Sequence, residues 1–383
     1  MVQTFGYNIV SAFTGGVPVR AIYTYGELVW PTSETYFIMW TPVDASGSFN
    51  IGGSTYSMED YNGYFTDFNG VITESAFIST SLTNVVTNAT VLGSDAFKWC
   101  SSLESIIDNN CISVSASVFY QCHELNSISL PRCKYIGSYA FYNCTVPYRY
   151  GLSIVNFPEC ERIEHDAFQL NTYLLSAYFP KCSYVGPGAF DADSRLKTVS
   201  IPECEYIDAM GFQGCSSLKS IIIPKCSYIG DFAFGNCALS TISLPVCEYV
   251  GSNGFYQCNL KTVNLPVCSY LGEAAFDGNL ITDVSLPVCS YIDMWAFGDN
   301  DLQSADLPVC SYIGDYAFAY CPSFSTITLH STSVCELSGS SVFYSTLIAS
   351  GSGSIYVPSS LVSAYKAANG WKSLSNIIYP IPN

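Results

Sequence analysis

Apolar positions between residues 72 and 349 recur in a fixed phase, marked by a small residue followed by Phe. The phenylalanines are Phe97, Phe119, Phe141, Phe168, Phe190, Phe212, Phe234, Phe255, Phe276, Phe297 and Phe318, at intervals of 22, 22, 27, 22, 22, 22, 21, 21, 21 and 21. Degenerate copies stand at Phe77 and Phe343. The full unit reads L-x-x-I-x-L-P-x-C-x-Y-I-G-x-x-A-F-x-x-C, as in Leu239 through Phe255 to Cys258. Ile242, Ser243 and Leu244 alternate with period two, which predicts a short strand with Ile and Leu inward and Ser outward. A proline follows (Pro131, Pro158 and so on to Pro308) and ends the strand, because it has no N–H to donate. The glycine column (Gly137, Gly186, Gly230, Gly251, Gly272, Gly314) suits a turn with positive φ. Asp208 and Asp293 also tolerate that conformation, whereas Glu164 departs from it. Ala or Gly before Phe is expected where coil backbones crowd together. A single unit cannot bury its apolar face, but stacked units share one core.

The stretch L-x-x-I-x-L-P-x-C matches the leucine-rich-repeat template. The fold class read from it is an α/β-type repeat solenoid, mainly β: a right-handed solenoid with a parallel sheet of about a dozen short strands on one face. The residue between Pro and Cys supports stacking in register. It runs Arg132, Glu159, Lys181, Glu203, Lys225 and then Val246, Val267, Val288, Val309. Alternating signs followed by a valine row suit neighbours roughly 4.8 Å apart. Three parts are expected: a small β-rich domain over 1–71, the solenoid over 72–349 with about 12 coils, and a cap over 350–383. In the first part Val19–Tyr25 with Glu27–Trp30, Tyr36–Trp40, and Phe49–Ile51 with Ser54–Met58 across Gly52-Gly53 read as strands. In the cap, a strand Ile355–Val357, a helix Leu361–Ala368 opened by Pro358 and stopped by Asn369-Gly370, and an edge strand Ile377–Ile381 are expected.

The unit closely resembles that of the BspA-like leucine-rich-repeat family, I-P-x-x-V-x-x-I-G-x-x-A-F-x-x-C-x-x-L. It departs in carrying Cys and Tyr after Pro, as in Pro266-Val-Cys-Ser-Tyr270. The resemblance implies an adhesive, non-enzymatic surface protein of a host-associated microbe, secreted or membrane-anchored.

Composition narrows the partners. Of 383 residues 49% are hydrophobic and 12% charged, with 14 Lys plus Arg against 31 Asp plus Glu and a net charge of −17. Such a chain is not disordered, has no basic field for nucleic acid, and has no attraction to anionic membranes. Apolar runs such as Tyr36–Trp40 reach about five residues, too few for a membrane span, so no membrane insertion is expected. MVQTFGYNIVSAF has no basic leader, so a cell-surface, extracellular or virion location is expected without a classical signal peptide. The oligomeric state stays open.

The 18 cysteines form two columns, one from Cys111 to Cys335 and one from Cys100 to Cys321. Pairing within coils would orphan Cys160, Cys182, Cys268 and Cys289, which face Asn171, Asp193, Asn279 and Asn300. Replacement by Asn or Asp suits a short side chain that satisfies turn backbone, so buried reduced thiols in ladders are expected. No C-x-x-C and no Cys/His cluster has zinc spacing, and no metal or cofactor is expected. His123, His165 and His330 fall in different coils without a nucleophile pattern. Gly298-Asp299-Asn300-Asp301 lacks the remaining ligands of a calcium loop. Asp283 and Asp306 lie two residues out of register on neighbouring strands, about 7–8 Å apart, a separation compatible with an inverting glycosidase. Their Ser/Thr surroundings offer neither a sugar cleft nor a proton donor, so an enzyme is not expected.

Two functions remain: a binding or adhesion protein offering its repeat surface to a host protein or glycan, and a structural or receptor-binding component of a virion or appendage docked through residues 1–71. The candidate site is the 27-residue interval. Its extra length, Thr145-Val-Pro-Tyr-Arg-Tyr-Gly151, must bulge from the stack. Tyr148, Arg149 and Tyr150 are residue types of binding hot spots. Tyr173 holds the equivalent turn of the next coil, and Ile154 and Tyr178 face outward from the adjoining strands.

Overall fold

The computed structural model describes residues 71–382 apart from 73, 88 and 147–149, together with short strand segments within residues 2–57. Among the latter, Ile22–Thr24 pairs antiparallel with Glu27–Leu28, and Ser48–Ile51 with Ser54–Ser57 across Gly52-Gly53, both as expected. The expected strand Tyr36–Trp40 lies outside the described residues.

The rest is a mainly β solenoid of parallel strands. Each coil places one aromatic ring on the axis. From Phe77 to Phe343 the phenylalanines of the repeat stack ring on ring, with centroids 5.0 Å apart at Phe141–Phe168 and 6.1 Å at Phe318–Phe343. All are buried. Stacked pairs add about 0.5–1.5 kcal/mol each beyond the burial of their area.

Strands form in two columns, where one was expected. The predicted L-x-x-I-x-L strands form and pair in register, as in Thr241↔Thr262 and Asp283↔Ser304, except over residues 218–223, which are not a strand. They fall into separate groups, however, of three, three, two and three strands, the last group extended by the cap strands Ser354–Val357 and Ile378–Pro380. The continuous sheet has 13 strands and is built from the two-residue segments after Cys, such as Tyr184–Val185, Tyr206–Ile207 and Tyr228–Ile229. The following Gly does not adopt positive φ, contrary to expectation. It is needed for close approach: a Cβ on Gly230 would lie 2.6 Å from the Ala209 nitrogen, and one on Gly137 2.6 Å from the Ser115 carbonyl carbon. Asp208 and Asp293 occupy this column with the carboxylate turned back, accepting from the next amide (Ala209, Met294) and from a tyrosine hydroxyl of the coil before. Glu164 is ion-paired with Arg162.

Positive φ falls two residues later and again four further on, as at Asp95 and Trp99 or Tyr139 and Asn143. This local twist points alternate amides along the axis. Asp95, Phe97 and Trp99 donate to Ala116, Val118 and Tyr120 of the next coil, while Ala96, Lys98 and Cys100 donate three residues back. Every turn amide of this stretch is thereby paired inside the stack, as buried backbone requires.

The cysteines are all buried and free. In one set the thiol donates to the carbonyl two residues on, as Cys226 to Tyr228 and Cys247 to Tyr249. In the other it donates to the phenylalanine carbonyl of the preceding coil, as Cys215 to Phe190 and Cys237 to Phe212. Where Asn replaces Cys, Asn279 Nδ2 donates to Phe255 and Phe276, and Asn300 Nδ2 to Phe276 and Phe297. The substitution pattern thus reflects one shared task, bonding to backbone carbonyls. Burial pushes most of the thiols up, to about 11 at Cys100 and Cys247 and about 12 at Cys182.

Of the alternating charges, Lys181 meets Glu159 at 2.6 Å and Lys225 meets Glu203. Arg132 instead donates to Asn110. The coil edge closes at the C-terminal end much as expected. Strand Ser354–Val357, helix Val362–Ala367 and strand Ile378–Pro380 pack with buried Tyr365 and Trp371 over the last coil. The Trp371 indole donates to the Cys335 carbonyl, and the Cys335 amide donates to the Tyr365 hydroxyl.

Two outcomes follow from the buried columns. Alkylation of the unfolded, unreduced protein followed by mass measurement should label all 18 cysteines, and the melting temperature should not respond to reductant; several disulfides would contradict this. Asp193 holds an Asn position: its Oδ1 accepts from the Asn171 amide, but Oδ2, the counterpart of an amide nitrogen, has no partner. Burial raises its pKa well above the usual carboxylate value. Protonated Asp193 therefore stabilises the fold fully below its unfolded pKa of about 4, and that contribution is lost as pH rises through the raised folded value. Asp193→Asn should gain about 1–3 kcal/mol at neutral pH and flatten this part of the stability–pH curve, measured by urea unfolding.

Candidate functional site: an aromatic row on the long sheet

The outward residue of each two-residue strand is a tyrosine for much of the long sheet. Parallel register brings equivalent residues face to face, Tyr206↔Tyr228 and Tyr249↔Tyr270 among them. The rings of Tyr184, Tyr206, Tyr228, Tyr249, Tyr270, Tyr291 and Tyr312 therefore stack in one run, with centroids 4.1–5.5 Å apart. At Tyr184 the stack continues into the Arg162 guanidinium, 3.7 Å from the ring centroid. The rings are half-buried and their neighbours in the strand are buried apolar residues, so the row presents ring edges and hydroxyls.

Polar groups line the row. The Ser227 and Ser269 hydroxyls donate to the Glu205 and Glu248 carbonyls of the coils before. The Tyr184 hydroxyl donates to Asp208 at 2.9 Å. Burial first, and then the Asp208 hydrogen bond, push the Tyr184 phenol up to about 12. Among the described residues no group of three or more His, Cys, Asp or Glu side chains could hold a metal ion.

The predicted site is only partly described. Tyr148 and Arg149 lie outside the described residues. Tyr150–Gly151 pairs antiparallel with Thr145–Val146. Ile154 and Tyr178 are exposed on neighbouring strands, 57% and 37%, and two positions out of register, since Ile154 opposes Ser176 and Asn156 opposes Tyr178. Tyr173 is half-buried and turns toward the next coil, with the Arg195 guanidinium 4.6 Å from its ring. The tyrosine row was not singled out from the sequence. The signal was present as a column at the 21–22 spacing, read there as a departure from the family's unit.

The other weighed groups are engaged. Asp283 and Asp306 lie two positions out of register, as expected. Asp283 accepts from the Ser304 hydroxyl, and Asp306 pairs with His330. Asn300 is a buried structural residue bonded to three carbonyls. His165 contacts Asp166 and the edge of Tyr139.

With this geometry, comparison places the chain. The family model for the BspA type leucine rich repeat region matches in six copies, over residues 70–191, 148–254 and 248–374. The chain belongs to this family. A leucine-rich repeat protein from Bacteroides ovatus aligns over 100% of this chain and 99% of its own, with 19% identity and a TM-score of 0.59. It shares the fold. A leucine rich cell surface protein from Faecalibacterium prausnitzii aligns over 82% of this chain and 90% of its own, with 17% identity and a TM-score of 0.35. No curated protein matches the chain. Among the described residues no helix is long and apolar enough to cross a membrane.

The row predicts a delayed phenol titration. Ultraviolet absorbance should show a set of tyrosines ionising well above the free value of about 10, and Asp208→Asn should lower the Tyr184 component from about 12. A titration complete near the free value would show that the rings are not stacked.

Proposed function

We propose that the chain is a non-enzymatic binding protein of the adhesion type, whose solenoid surface takes a host protein or glycan. The observation that carries this reading is the tyrosine row: ring edges and hydroxyls repeat at the coil spacing along an uninterrupted sheet. Such a row offers apolar contact and hydrogen bonding together at regular intervals, which suits an extended ligand with its own repeat. Family membership supports the same class of role. The insertion patch of Tyr148, Arg149, Tyr150, Ile154, Tyr173 and Tyr178 is proposed as a second contact at one end of the surface, since Tyr and Arg dominate binding energetics.

The test is capture of glycan and matrix-protein arrays by the purified chain. Tyr228→Thr/Tyr249→Thr/Tyr270→Thr keeps strand-forming residues but removes the row, and should weaken capture by roughly tenfold or more. Tyr148→Ala/Arg149→Ala/Tyr150→Ala should weaken it with the melting temperature nearly unchanged. Undiminished capture by both folded variants, or no capture by the parent, would overturn the reading.

A further inference from the structure

The turn edge of the last coils carries a second aromatic group. Trp295, Tyr316 and Tyr320 have φ of 60°, 57° and 55°. Left-handed backbone costs a side chain with a Cβ roughly 1 kcal/mol or more, and Gly or Asn avoids most of it. Some coils place Asn or Gly at these positions, as Asn253 and Gly278, and others a bulky side chain, as Met210 and Phe232. The rings do not fill the core, because Tyr320 is 45% exposed and its neighbour Tyr344 53%. Trp295 lies parallel to Tyr316 at 4.6 Å and to Tyr320 at 5.8 Å, whereas Tyr344 meets Tyr320 edge-on at 5.3 Å and 68°. Parallel rings closed by a crossed one form an open aromatic corner.

Charge decides what such a corner takes. Between residues 226 and 365 there are 11 carboxylates and one cation, Lys261, whereas 71–225 holds 14 carboxylates and 10 cations. Two of the unbalanced carboxylates stand at the corner itself. Gly298 separates one from the indole: a Cβ there would lie 2.5 Å from Asp277 Oδ1 and 2.6 Å from Trp295 Cε3. Asp277 Oδ1 is shielded from solvent and has no hydrogen-bond partner, so the carboxylate acts on the corner through its charge. Burial and the nearby Asp299 raise its pKa to about 6, the mark of carboxylates lacking a cation. A cation over an aromatic face and beside carboxylates is held by both.

We propose that the corner formed by Trp295, Tyr316, Tyr320 and Tyr344, with Asp277 and Asp299, docks a lysine- or arginine-rich segment of a partner protein. The assignment rests on the reading of the chain as a binding protein and names a partner class for a surface separate from the tyrosine row.

Fluorescence anisotropy on the full chain tests it, with a labelled lysine–serine repeat peptide as probe and a glutamate–serine repeat as control. The basic peptide should bind, the acidic one should not, and added salt should weaken the complex. Trp295→Asn/Tyr320→Asn relieves backbone strain, so folding is retained, and should weaken binding roughly tenfold. Asp277→Asn/Asp299→Asn should do likewise. Equal binding by the aromatic variant would reduce the effect to diffuse charge and overturn the assignment. So would a glycan captured by the parent and lost in that variant while the basic peptide does not bind. In either case continued array capture through the tyrosine row would leave the adhesion reading standing.

Discussion

Successive coils of the solenoid lie at the separation of hydrogen-bonded strands, roughly 4.8 Å, so every residue meets a copy of its own position above and below. Few side chains tolerate that. Flat rings do, and Phe fills the axis while Tyr lines the long sheet. Small thiols and carboxamides do, when each can reach a backbone carbonyl of its own coil or of the coil before. Charges do so only with alternating sign, as Glu159 with Lys181 and Glu203 with Lys225. Glycine does where backbones come too close for a Cβ. The columns of this protein are the short list of answers to one spacing.

The same spacing disciplines the backbone. Two strand columns pair their amides along the axis, and the turns between them reach the same direction only by alternating their donors, helped by two left-handed residues per coil. A coil of 21 or 22 residues closes this circuit. The longer interval holds an antiparallel pair of its own, Thr145–Val146 with Tyr150–Gly151, and Leu152 returns to the core.

What the sequence disclosed were the features that depend on a residue recurring in its own column. The phenylalanine core, the parallel register, the Cys-to-Asn exchange and the outward face of Ile154 and Tyr178 all follow from phase alone. What it hid were features decided by neighbouring coils. Tyr206–Ile207 is too short to display alternation, so the continuous sheet was not separable from a turn. The glycine column looks the same whether it serves positive φ or close approach, and only the distance from Gly230 to Ala209 decides. The left-handed positions carry Trp295, Tyr316 and Phe232 rather than the residues that announce such turns. The aromatic corner was invisible for that reason.

The axial direction of the backbone hydrogen bonds has a mechanical consequence. Tension applied between the two ends of the stack draws every coil-to-coil bond along its own line, and the coils bear the load in series. With no covalent cross-link between coils, the weakest interface opens first, and the others are spared while it does. Each coil of about 22 residues then pays out roughly 70 Å of extended chain. Under such force the stack would lengthen in steps rather than all at once.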